Sequence, residues 1–180
     1  LSAQSGNTGG MTWAEAGGDP TGESSVATLP TSTGSITFGS IPDGIKWARL
    51  IVYNANIDTA SKRYLVRLGS SAEVHASDGD YSSRSQEVAN TSSVSETSGM
   101  IVQFNEALNS SDANHLIFNL YKQEGTNIWI TNHLMYLRNN NKAIIGVGIC
   151  TVLDSRLTQI VFKTTGGNFS SGTANIQWGY

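Results

Sequence analysis

The stretch ASDGDYSSR, residues 76–84, gathers side chains suited to holding a ligand. Asp78 and Asp80 bracket Gly79, a spacing that offers carboxylate oxygens to a cation such as Ca²⁺. The other ligands and the closing glutamate of an EF-hand loop do not follow, so a plain turn is the favoured reading and no metal site is assigned. Carbohydrate asks for less: an exposed ring beside groups that hydrogen-bond hydroxyls. Tyr81, flanked by Asp78, Asp80 and Arg84, is the best-placed ring, with Trp129, Trp13 and Tyr121 next. Asp78, Asp80, Tyr81, Arg84 and Trp129 are therefore the candidate ligand-binding residues. For Trp47, Trp129 and Trp178 packing is the simpler expectation, the indole N–H finding a partner inside.

Catalytic chemistry has less to work with. Hydrolysis by paired carboxylates needs two acids converging on one cleft, and the acids here are scattered over loop-like stretches from Asp43 to Asp154. His75, His115 and His133 lack the i, i+2 spacing that would aim two imidazoles the same way from one strand. With the lone Cys150, a structural zinc site is not expected. No Gly-x-Ser-x-Gly elbow occurs, and the segments NTGG, AGG and TTGGN lack the Lys-Ser/Thr partner of a phosphate cradle. No catalytic residue, metal or cofactor is assigned, and an enzyme is not expected. His133 shares a strand face with Trp129, Thr131 and Met135, where a hydrogen-bonded, partly buried histidine is expected. Cys150, inside KAIIGVGICTV, reads as a small buried hydrophobe.

The elements that must position these groups are strands. SITF is short; WARLIVYNANI is apolar on both faces around Leu50–Tyr53, as a central strand is. RYLVRLG puts Tyr64, Val66 and Leu68 on one face with Arg67 opposite, and Met100, Val102 and Phe104 alternate likewise, as do Leu116, Phe118 and Leu120. Trp129–Leu137 and Lys142–Val152 form a hairpin around RNNN, because Asn tolerates left-handed backbone. LTQIVFKTT, the turn GGNFSSG and TANIQWGY close the chain, with Ile176, Trp178 and Tyr180 on one strand face. NEALNSSDANH holds at most one helical turn, and Ser70–Ser98 reads as a long polar loop. About nine strands with regular turn signals predict an all-β fold, a jelly-roll-like antiparallel β-sandwich with little or no helix. Residues 1–33, rich in Gly, Ser and Thr, form a linker or extended segment, and residues 34–180 a single sandwich domain.

Bulk properties narrow the partners. A net charge of −3 with no basic run disfavours nucleic acid and anionic membrane, and no apolar run approaches the length of a membrane span. Only 14% of residues are charged, a polar but uncharged surface in keeping with a virion or extracellular protein. Leu1 opens the chain with neither an initiator Met nor a leader pattern, so a piece of a longer protein is expected.

ITFGSIPDGIKWARLIVYNANI, a short strand, a turn around Ile-Pro and a long strand, resembles the opening of a β-sandwich domain of bacteriophage tail fibres and tailspikes. The ending LTQIVFKTTGGNFSSGTANIQWGY is similar to the same domains more closely, in its Phe-containing strand, its Gly-Asn-Phe-Ser turn and its aromatic–Gly–aromatic terminus. The likeness spans Ser35 to Tyr180 in layout, with recognisable residues at the two ends. It implies a virion attachment or structural module, acting outside the cell, often as a homotrimer, with no shared catalytic motif. The expected task is binding a host-surface polysaccharide, through weak contacts from Ser70–Ser98 and RNNN repeated on three subunits, or capping a trimer. A purely structural virion module and a carbohydrate-binding module of a secreted enzyme are the alternatives. The two-sided apolar strands ARLIVY and AIIGVGIC suit a subunit interface, although sandwich centres look the same.

Overall fold

The computed structural model describes residues 2–4, 12–14, 21–60, 62–71, 73–89, 93–102, 113–139 and 141–180. Among them there is no helix. The strands are β1 (Ser2–Gln4), β2 (Thr12–Ala14), β3 (Thr21–Glu23), β4 (Ala27–Thr28), β5 (Ser35–Phe38), β6 (Trp47–Ile57), β7 (Tyr64–Gly69), β8 (Tyr81–Glu87), β9 (Ser93–Glu96), β10 (Met100–Ile101), β11 (Asn114–Lys122), β12 (Trp129–Leu137), β13 (Lys142–Cys150), β14 (Gln159–Thr164) and β15 (Phe169–Gly179). β1 and β2 form their own antiparallel pair. A 4-stranded sheet runs β10-β7-β14-β5, and a 9-stranded sheet runs β3-β15-β6-β11-β12-β13-β8-β9 with β4 also on β15. All pairings are antiparallel, and the two sheets form a β-sandwich.

Alternation decides what each sheet buries. Leu50, Val52, Leu116, Phe118, Leu120 and Met135 line the inner face of the large sheet; Phe38, Tyr64, Val66, Leu68, Ile160 and Phe162 face them from the small one. Tyr64 and Phe162 stack with ring centroids 5.1 Å apart, and Phe162 and Phe169 at 5.4 Å. Each such side chain stabilises the fold by about 1.5–3 kcal/mol on burial. At Asn54 (φ 56°) β6 carries a bulge, so that Tyr53 and Asn54 together oppose His115. The extra residue turns Ala55 and Ile57 back to the core after Val52. On β13, Gly146 and Gly148 make room for neighbours. A Cβ at Gly146 would overlap the His133 ring, and one at Gly148 would press on Thr131 and Met100.

The nine expected strands are present, the one expected over Met100, Val102 and Phe104 as Met100–Ile101 with Phe104 outside the described residues, and four more complete the sandwich. The polar stretch Ser70–Ser98 is not one loop, since it contains β8 and β9. The inward residues of β8 are Tyr81, Ser83, Ser85 and Glu87, so its alternation is real but largely polar. Hydrogen bonds make that tolerable inside. Ser83 Oγ donates towards the carbonyls of Glu96 (3.0 Å) and Gly99 (3.2 Å), and Lys142 Nζ lies 3.4 Å from Glu87 Oε2. The boundary expected at 33/34 also moves. β3 and β4 pair with β15, and Leu29 is fully buried, so the sandwich includes residues 21–33. The single helical turn expected in NEALNSSDANH falls mostly on residues outside those described.

β15 lies between β3 and β6 rather than at an edge. Ile176 is buried, Trp178 packs against the core over Gly22, and Tyr180, one residue past the strand, is 54% exposed. Two of the three residues expected on the inner face are thus there. Asn141 closes the β12–β13 turn with φ 50°, as an asparagine turn requires. Cys150 is buried and free.

Candidate functional site

The residues singled out by the sequence are not brought together. Tyr81 is 2% exposed. Its hydroxyl accepts from the Leu68 N–H at 2.7 Å and donates towards the carbonyls of His75 (3.0 Å) and Leu68 (3.2 Å). Burial pushes its phenol well above the ordinary tyrosine range, only partly offset by the Leu68 backbone. This ring is a core anchor and not a ligand platform. Trp129 is 1% exposed, and its indole N–H has no hydrogen-bond partner among the described residues. Asp78 accepts from the Thr97 hydroxyl, and Asp80 accepts from the Ser77 N–H at 2.6 Å, so both carboxylates fasten turns. No group of three metal-ligating side chains occurs among the described residues. Asp78 is exposed on its turn, and Arg84 is exposed on the outer face of the large sheet, its Nε donating to Ser93 Oγ at 2.7 Å.

That outward direction leads to the feature the sequence hid. The outer face of the large sheet is ruled into cross-strand rows by the register. One row is Ile51–Ile117–Leu134–Ile145. The next is polar, Gln177–Arg49–Asn119–Asn132, ending in Val147 and Arg84. Its members are chained: Arg49 Nε donates to Asn119 Oδ1 and Asn119 Nδ2 to Asn132 Oδ1, both at 2.8 Å. A third row is Trp47–Tyr121–Ile130–Ile149. On the other side of the aliphatic row sit Tyr53, His115 and Tyr136, with His115 4.9 Å from Tyr53 and 6.4 Å from Tyr136 between ring centroids. Tyr53, Ile117, Tyr121, Ile130, Leu134, Tyr136, Ile145 and Val147 are 41–64% exposed on this face. The alternation that buries Phe118 and Met135 obliges Ile117 and Leu134 to face out.

At the β3 side of this face the chemistry changes. Trp47, expected to pack inside, lies half-exposed with its indole across Gly179, where no Cβ could fit. Trp47, Thr21, Gly22, Glu23 and Gln177 line an open hollow of about 420 Å³. Gln177 Nε2 lies 3.4 Å from Glu23 Oε2, so an amide and a carboxylate stand together beside the ring. A shallower recess on the other side of Trp47 is lined by Arg49, Asn119 and Tyr121. Tyr121, a runner-up in the sequence, is therefore placed on the surface beside Trp47. β3 was not visible in the sequence, so neither was this hollow.

Behind the face, His133 lies buried with Nε2 3.1 Å from Ser85 Oγ, as its strand position foretold. Burial lowers its pKa from 6.5 to about 4, so the imidazole is neutral at physiological pH. Phe118 stacks on it at 6.0 Å. These groups support the sheet from within, and His133 also borders an outer recess of about 440 Å³ with Arg84, Asn132 and Val147.

No protein-family model matches the chain, and no curated protein sequence matches it.

Proposed function

We propose that the chain is an attachment module of a bacteriophage fibre or tailspike that holds a host-surface polysaccharide in the hollow beside Trp47. The observation behind this reading is the lining of that hollow: a half-exposed indole next to Glu23, Gln177 and Thr21. A pyranose presents an apolar C–H face, which the indole covers, and a rim of hydroxyls, which carboxylate and amide groups bond. The pocket is open, so single-site affinity is low and retention on a cell comes from several copies bound at once. The test is binding of the full chain to a polysaccharide array and to whole bacteria. Trp47→Ala should weaken binding about 30-fold, the usual loss of roughly 2 kcal/mol for a central tryptophan. Unchanged binding by Trp47→Ala would contradict the placement, and no glycan retained by the wild type would contradict the function.

A second reading, a structural virion module that touches only other chains, draws on a different observation: the aliphatic centre of the same face. It predicts stable assembly with no binding to cells or glycans.

A further inference from the structure

We infer that the central strands of the large sheet, β6, β11, β12 and β13, are covered on their outer face by the same face of a second copy of this chain, about a two-fold axis running along the strands between β11 and β12. The eight apolar side chains exposed there present about 800 Å², as much as each partner gives up in a standard interface and more than a typical monomer leaves bare. A sheet face with this much exposed apolar area, crossed by a single polar row, packs on another sheet as the inner faces of a sandwich do.

The occupant is argued from the register. An axis along the strands lays each row over itself in reverse. Ile117 then meets Leu134 of the second copy, and Ile51 meets its Ile145. Tyr121 meets Ile130, and in the polar row Asn119 meets Asn132, amide on amide. Arg49 falls on Val147, and Arg84 on Gln177 with Glu23 beside it. Apolar positions thus oppose apolar ones, no two guanidinium groups coincide, and Glu23 approaches Arg84. That is the self-complementarity of an isologous contact. The same overlay sets Gln177 and Glu23, two residues of the hollow beside Trp47, against Arg84 of the second copy, so pairing and sugar binding in that hollow exclude each other. The pairing does not rest on the glycan reading. It differs from the three copies that the resemblance implies.

Light scattering at about 100 µM chain tests it. The wild type should weigh twice the 19.2 kDa chain. Leu134→Glu, at a half-exposed site, should weigh one chain and still unfold cooperatively, with a melting temperature that no longer depends on concentration. A wild type of one-chain or three-chain mass, or a Leu134→Glu protein that stays paired, would overturn the inference. Register has its own test with Arg49→Cys and Val147→Cys proteins, equilibrated together and treated with a short bis-maleimide. Stacked sheets lie about 10 Å apart, within reach, whereas in either variant alone the thiols are displaced by a further three strand spacings, about 14 Å. Cross-linking of the mixture alone supports the two-fold pairing; cross-linking of a single variant, or of none, contradicts it. Mass measured without sugar does not depend on whether the hollow can take one, so the two readings fail separately.

Discussion

The Tyr81 hydroxyl bonds backbone groups of Leu68 and His75, tying β8 on the large sheet to β7 on the small one. Tyr81→Phe keeps the ring and strands those partners in a buried place, so equilibrium unfolding should show a loss of about 1–3 kcal/mol. His133 makes a pH prediction. The unfolded imidazole takes up a proton below about 6.5, whereas the folded one stays neutral down to about 4. Between those values the unfolded chain binds more protons. Stability is therefore complete above the window and falls as pH drops through it, by about 3 kcal/mol in all. Urea titrations across that range should show the fall, and His133→Gln should flatten it; a parallel slope in the variant would contradict the assignment. Residue types alone could foretell the burial of His133 and Cys150. They could not foretell that of Tyr81, because its neighbours in sequence are polar while its neighbours in space are Leu68 and His75.

Strands whose inner residues are apolar were legible as strands. β11 and β12 alternate as expected, β7 turns Tyr64, Val66 and Leu68 inward although Leu65 on its other face is buried too, and the inward Trp129, Thr131, His133 and Met135 of β12 share one face. β8 escaped because its inward set is Tyr, Ser, Ser, Glu, and the hydrogen bonds that justify those residues come from distant segments. β3 and β4 escaped because two or three residues carry no period; pairing with β15 makes them strands. The outer face escaped for a further reason. A strand apolar on both sides reads as a sandwich centre, and only the topology shows that among the described residues no layer lies over one side. Two predictions belong here. Gly146→Ala drives a methyl into the His133 ring and the Arg84 carbonyl, and should lower stability by about 1–3 kcal/mol in thermal melts. Deleting Thr173–Tyr180 removes Ile176 and Trp178 and leaves β6 unpaired on that edge from Trp47 to Tyr53, so circular dichroism should show no cooperative transition.

The whole molecule sets one layer of core against a large sheet that is apolar on both of its faces. The inner face is satisfied by the small sheet. The outer face combines an aliphatic centre, a chained Arg–Asn–Asn row and, at one side, the Trp47 hollow. The proposed pairing and the proposed sugar site share part of this surface, because Gln177 and Glu23 line the hollow and also face Arg84 of the second copy. Hydroxyl-radical footprinting of the tyrosines over a range of chain concentrations tests this most directly. Tyr53, Tyr121 and Tyr136 should be labelled in dilute solution and protected as concentration rises, while Tyr64 and Tyr81 stay unlabelled throughout. Labelling of the first three that does not change with concentration, or labelling of Tyr81 in the folded chain, would contradict the account.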